Sequence, residues 1–200
     1  MRASTDLRMI AAATVIYALA VLAFTGVGLL ASTPGSQTGS LRTLNSIPGH
    51  LLLLCLFGIS LGLLGSLAAR RVHLGMIVLI PTLVVVTDLD HLPSALGIAQ
   101  PIRPAHSFVF IVAVVAVMAM TIRRGDLEAA TVSAFFAHLT VDTGEFAPFA
   151  PFSFSYFGLS NYKVELAAVA VASAVVAGLI AKSGLTRHGA ASGEVEGPAS

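Results

Sequence analysis

Residues 9–31 and 48–69 each form an almost uninterrupted apolar run, long enough to cross the hydrocarbon of a bilayer as a helix, which takes about 17 to 25 residues. That length decides the fold class, because a backbone in hydrocarbon must satisfy its own N–H and C=O groups, and only helices or closed barrels do so. Shorter apolar runs follow at 74–87, 107–122 and 127–141, and another at 164–181. With about six spans at this length, the expected fold is an all-α, polytopic membrane helical bundle. The composition agrees: of 200 residues, 56% are hydrophobic and 10% charged, with a mean hydropathy of +0.90, as in integral membrane proteins. Residues 1–182 read as one integral domain, and 183–200, rich in Gly, Ala, Ser and Glu, as a disordered cytoplasmic tail. Pro81 falls inside the third run and predicts a kink there.

Lys and Arg set the orientation, since basic residues near span ends stay cytoplasmic. With the N-terminus inside, Arg2, Arg8, Arg70, Arg71, Arg123, Arg124, Lys182 and Arg187 fall on the inner face, and Arg42, Arg103 and Lys163 on the outer. Both termini are then cytoplasmic. Arg2 and Arg8, with small residues near Ala31 and Ser32, also resemble a secretory signal, but the run exceeds the core of about 7 to 15 residues of such signals and reads as an uncleaved anchor. The basic residues form small groups and no long run, which argues against nucleic acid as a partner. Cys55, the single cysteine, lies in an apolar run and reads as a packing residue.

This topology uses no His or Asp, yet it carries His50, Asp88, Asp90, His91, His106, His138 and Asp142 to the outer face, at the ends of apolar runs. Ionisable groups bordering hydrocarbon are costly and usually functional. Imidazoles with carboxylates are the donor set of a divalent-metal site, for zinc foremost, with manganese or iron as alternatives, and one or two ions. In Asp88-Leu89-Asp90-His91, Asp88 and His91 stand at i and i+3 and share a helix face; the same carboxylates also suit a cap on the next turn. His138 and Asp142, at i and i+4, project to one side, as two ligands or as a ligand and the carboxylate that orients it. His106 opens the fourth run with Ser107 as a cap, and His50 opens the second after Pro48-Gly49. Each alone would pass for an interfacial histidine. His73 and His188 fall on the inner face.

Between the fifth and sixth runs, Phe146, Phe149, Phe152, Phe154, Tyr156, Phe157 and Tyr162 are interspersed with Pro148 and Pro151. Aromatic rings concentrate at headgroup level, so this segment reads as a non-helical interfacial flap, either an anchor or an entry for a lipid-like substrate. No Gly-rich phosphate loop or His-Glu-x-x-His helix is present.

The order His50, Asp88-Leu89-Asp90-His91, His106-Ser107 and His138 with Asp142, followed by a Pro/Phe stretch, resembles the YdjM-like family of membrane-bound metal-dependent hydrolases over residues 48–154. The resemblance implies a multi-pass enzyme of a prokaryotic inner membrane, with metal roles for His50, Asp88, Asp90, His91, His106, His138 and Asp142. Thr87 departs from the family pattern, which tends to have Pro there, and the spacing from Arg103 to His106 is one residue short. A divalent cation would activate water against a phosphoester or ester of an amphiphilic, membrane-lipid-like substrate. Asp90 or Asp142 would serve as general base or orient the water, and Arg103 would neutralise developing phosphate charge. The rival reading is a non-enzymatic metal-binding transporter or sensor; against it, the span interiors offer only Pro81, glycines and hydroxyls such as Ser60 near the midplane, where transporters bind their cargo. A third is a scaffold that packs its helices through these histidines. Nothing in the sequence specifies an oligomeric state.

Overall fold

The structure, a computed structural model, describes residues 2–31, 47–95, 103–142, 145–150, 152–153 and 157–183. Its helices are α1 (Arg2–Ala31), α2 (Ile47–Ala68), α3 (Leu74–Val86), α4 (Leu92–Ala95), α5 (Phe108–Thr121), α6 (Gly125–Val141) and α7 (Lys163–Ser183). Short 3-10 turns occupy Thr87–His91, Pro104–His106 and Leu159–Asn161. The one strand pairing among the described residues joins β1 (Glu145–Phe146) to β2 (Phe157–Gly158), antiparallel, with Glu145 opposite Gly158. The fold is therefore all-helical, as expected. The expected tail lies outside the described residues except for Ser183, which closes α7, and so do Arg42, Pro151, Phe154, Tyr156, Arg187 and His188.

Among the described residues, four helical segments, Asp6–Leu30, Gly49–Ala68, Leu74–His91 and Lys163–Ser183, are long and apolar enough to cross a membrane. The other two expected spans are shorter. At 14 residues for α5 and 17 for α6, a rise of about 1.5 Å per residue gives about 21 and 25 Å, less than the hydrocarbon thickness of about 30 Å. α6 also carries Asp126 and Glu128 in its first turn, and it buries Ala130, Thr131, Ser133, Ala134, Phe135, Ala137, His138 and Leu139. It packs against α7, α3, α2 and α5 and forms the centre of the bundle. Around it, Leu19 and Leu22 of α1 and Leu52, Leu56, Leu63 and Leu67 of α2 face outward, an apolar belt suited to lipid.

Small residues bring the helices close. A Cβ added at Gly58 would stand 2.6 Å from the Pro81 Cα, and one at Gly62 2.7 Å from the Ile77 Cα. The backbones of α2 and α3 thus touch along a stripe with no side chain between them, the device that packs helices in lipid. Gly65 continues the stripe toward α7, where a Cβ at Gly178 would collide with the Gly65 carbonyl. Pro81, which lacks an N–H, sits inside α3 against this glycine surface.

These antiparallel neighbours sort the polar residues to two ends of the bundle. At one end lie the start of α2, the end of α3, the start of α5 and the end of α6. At the other lie the start of α1, the α2–α3 turn, the α5–α6 turn and the end of α7, tied by Arg124 to Asp6 and by Arg71 to the Ala181 carbonyl.

Candidate metal centre

The first end gathers every sequence-nominated ligand. α3 tightens at Thr87 into the 3-10 turn Thr87–His91, in which side chains at i and i+3 eclipse; His91 Nε2 accordingly lies 3.5 Å from Asp88 Oδ1 and 3.6 Å from Asp90 Oδ1. His50, on the first turn of α2, brings its Nε2 to 3.7 Å from the same Asp88 oxygen. His106 ends the turn Pro104–His106, and Ser107 caps α5 by accepting from the Phe110 N–H at 3.1 Å. His138 sits in the last turn of α6, and Asp142 follows as its extended C-cap.

His106 lies at the centre. Its Nδ1 stands 2.7 Å from Asp90 Oδ2, and its Nε2 lies 3.2 Å from Asp142 Oδ2 and 3.0 Å from His138 Nε2. The Asp90 contact is a charge pairing rather than an aligned hydrogen bond, since both atoms lack a directed partner. Burial opposes a charge on His106, but Asp90 and Asp142 outweigh it and push its pKa up to about 9. Burial likewise opposes the Asp142 charge, yet His106, then His138 and Arg103, hold its carboxyl well below the usual carboxylate range.

His138 has a defined tautomer. Its Nδ1 is 3.0 Å from the Val84 carbonyl, which can only accept, so Nδ1 carries the proton and Nε2 the lone pair. Val84 lies in the last turn of α3, where helix carbonyls lack an intrahelical partner. A histidine anchored through one nitrogen to a backbone carbonyl, with the other bare, is the usual state of a metal ligand. That bare nitrogen stands 3.9 Å from Asp88 Oδ1.

The donor set fits a cation. His50 Nε2, Asp88 Oδ1, both Asp90 oxygens and His106 Nδ1 are buried without a hydrogen-bond partner, and each such group costs about 1–3 kcal/mol when left unpaired. Concentrated in one place, these atoms form a donor set that a cation would satisfy. Ligand bonds of about 2.0–2.2 Å in tetrahedral array put donors about 3.3–3.6 Å apart, within the range of the separations above. Among the described residues, Asp90, His91 and His106 bring donor atoms within 4.8 Å of one another, and so do His106, His138 and Asp142. His50 and Asp88 adjoin them through Asp88 Oδ1.

The centre is open on one side. Asp90, His106, His138 and Asp142 are enclosed, whereas the side chains of His50, Asp88, His91 and Arg103 keep 21, 17, 27 and 29% of their surface. Arg103 spans this rim, donating through Nη1 to His91 Nε2 at 3.3 Å and to Asp142 Oδ2 at 3.4 Å. Of the other histidines, His73 stands at the opposite end, 3.8 Å from Asp126.

Sequence reasoning passed over Tyr17. This fully buried residue of α1 bonds to Thr87 Oγ1 at 2.8 Å. Because the Thr87 hydroxyl donates to the Leu83 carbonyl, the Tyr17 hydroxyl is the donor, and it pins the turn that holds Asp88 and Asp90. The signal was a phenol inside an apolar span, which needs a buried partner. Tyr17 also packs edge-on against Phe110, which lies tilted against Phe135, and these rings fill the bundle below the cluster.

No family model, no curated protein and no solved structure matches this chain. The likeness to the YdjM-like hydrolases therefore stays an expectation carried by its motif residues.

Proposed function

We propose that the protein is a membrane-embedded, metal-dependent hydrolase. The observation that carries this reading is the convergence, from four separate helix ends, of imidazoles and carboxylates, with atoms of His50, Asp88, Asp90 and His106 buried without a hydrogen-bond partner. His106, His138 and Asp142, with Asp88, hold one divalent cation, and Asp90, His91 and His50 border it or hold a second; zinc suits these donors, as do manganese and iron. When bound, such a cation activates water and polarises the bond under attack. The chain's own groups do the rest. Asp90 and Asp142 orient water or take its proton, and Arg103, on the exposed rim, neutralises charge on a phosphoester or ester oxygen.

The surroundings support an amphiphilic substrate. Leu52, Leu53, Leu89 and Leu92 beside the ligands, and Phe149, Phe152, Phe157 and Tyr162 on the flap, are exposed apolar or aromatic side chains. The Pro148 carbonyl accepts from the Phe108 N–H at 2.8 Å, which ties the flap to the chain just after His106. The shorter α5 and α6 complete about six passes with both termini cytoplasmic, and the centre then faces the extracytoplasmic side. The filled aromatic core beneath the cluster supports a site worked from one face rather than a transport path.

The test is metal removal and return. Protein stripped with a chelator is expected to lose hydrolysis of a lipid phosphoester and to regain it on addition of zinc, and Asp88→Ala to lower the metal-to-protein ratio. Equal turnover in stripped and reloaded protein rejects the enzyme; uptake of the metal into proteoliposomes without turnover supports a transporter instead.

A further inference from the structure

At the end of the bundle opposite the metal centre, the start of α1, the α2–α3 turn and the start of α6 enclose a cleft of about 320 Å³. Arg71, His73, Arg124 and Asp6 line it beside leucine and isoleucine. The charges there are not equivalent. Arg124 is committed, with Nη2 at 2.6 Å and Nε at 2.8 Å from Asp126, and Nη1 at 3.2 Å from Asp6. Arg71 is not: its Nη2 donates to the Ala181 carbonyl at 3.0 Å, and no carboxylate among the described residues pairs with it. The tie to the last turn of α7 holds the guanidinium in place while leaving its charge uncompensated. His73, also on the lining, buries an Nδ1 that has no hydrogen-bond partner among the described residues.

Two further observations describe what fits. Arg70 and Arg123, the first residue of each Arg-Arg turn, adopt φ of 53° and 56°, a left-handed conformation that costs a non-glycine residue about 1–2 kcal/mol. Both turns accept this strain with an arginine where glycine would relieve it, and they concentrate basic side chains around the cleft. The walls, in contrast, are apolar: Leu7, Val72 and Leu74 are 64, 76 and 68% exposed. A free inorganic anion would leave those walls uncovered, whereas a lipid meets the charge and the walls together.

We propose that this cleft seats an anionic phospholipid, its phosphate on Arg71 and His73 and an acyl chain along Leu7, Ile10 and Leu74. Basic recesses between membrane helices bind anionic headgroups through the same combination of charge and apolar contact. The site shares no residue with the metal centre, so it stands or falls independently of the hydrolase reading.

The test uses the full chain, purified in detergent, delipidated and titrated with phosphatidylglycerol, phosphatidylcholine or inorganic phosphate under native mass spectrometry. Phosphatidylglycerol is expected to bind about tenfold more tightly than phosphatidylcholine, because the choline ammonium offsets the phosphate charge that Arg71 would meet. Arg71→Gln removes that preference, and Arg123→Gln, at the same end but outside the cleft, leaves it. Leu74→Glu, which adds a carboxylate to the wall and spares the α7 tie, also removes it and reads the site should Arg71→Gln fail to fold. Equal binding of the two lipids, equal losses in the Arg71 and Arg123 variants, or displacement of the lipid by inorganic phosphate overturns the proposal.

Discussion

His106 has carboxylates facing both ring nitrogens, Asp90 at 2.7 Å and Asp142 at 3.2 Å, so in the metal-free protein it holds a proton on each. Its pKa rises from 6.5 to about 9. A raised histidine pKa contributes stability that is full below the unfolded value and fades as pH climbs through the folded one, so the metal-free protein is expected to lose stability between about pH 6.5 and 9. A cation bound through His106 Nε2 would displace the proton there. Metal affinity is therefore expected to weaken about tenfold per pH unit on acidification below about pH 9, with a proton released on binding. Calorimetric titrations at pH 7 in two buffers of different ionisation enthalpy measure this release, and a binding heat that is the same in both would contradict it. His138 behaves differently because the Val84 carbonyl fixes its proton on Nδ1, leaving Nε2 ready for an ion.

α2 sets where His50 stands relative to the Asp88–His91 turn, and it does so through its glycine stripe. Because a Cβ at Gly58 would approach the Pro81 backbone to 2.6 Å, Gly58→Ala forces α2 and α3 apart. The cost is expected to be about 1–3 kcal/mol, the usual range for overpacking, with a fall in bound metal as His50 moves away. Gly26 of α1 provides the control, since nothing lies within 4 Å of its added Cβ. Gly26→Ala is expected to be neutral or to stabilise by up to about 1 kcal/mol, through helix propensity alone. Thermal unfolding in detergent separates the two variants, and equal shifts would show that the stripe does not govern the packing. α6 makes the other decisive placement: its last turn carries His138 inward and its extended C-cap returns Asp142 to the same cavity.

Among the described residues, histidines and charged side chains gather at two ends separated by an apolar middle, with exposed aromatics beside the candidate metal centre. Replacing Phe149 and Phe152 together by Ser is expected to lower hydrolysis of a vesicle-borne phosphoester about a hundredfold or more, given roughly 1.5–3 kcal/mol for burying each ring. Metal content and turnover of a water-soluble phosphoester should not change. A parallel fall on both substrates would show that the flap shapes the centre rather than meeting the membrane. The helical class, the apolar runs and the ligand candidates were legible in the chain because hydropathy and residue type are local properties, and the i, i+3 and i, i+4 spacings of Asp88 with His91 and His138 with Asp142 are too. The i, i+3 spacing survived although the helix tightens into a 3-10 turn there. The bundle alone decided which helices reach spanning length, that Tyr17 secures the Thr87 turn, that Val84 selects the His138 tautomer, and that His106 bridges two carboxylates. Those contacts join residues distant along the chain, and no local pattern encodes them, because they depend on how closely helix backbones approach once packed.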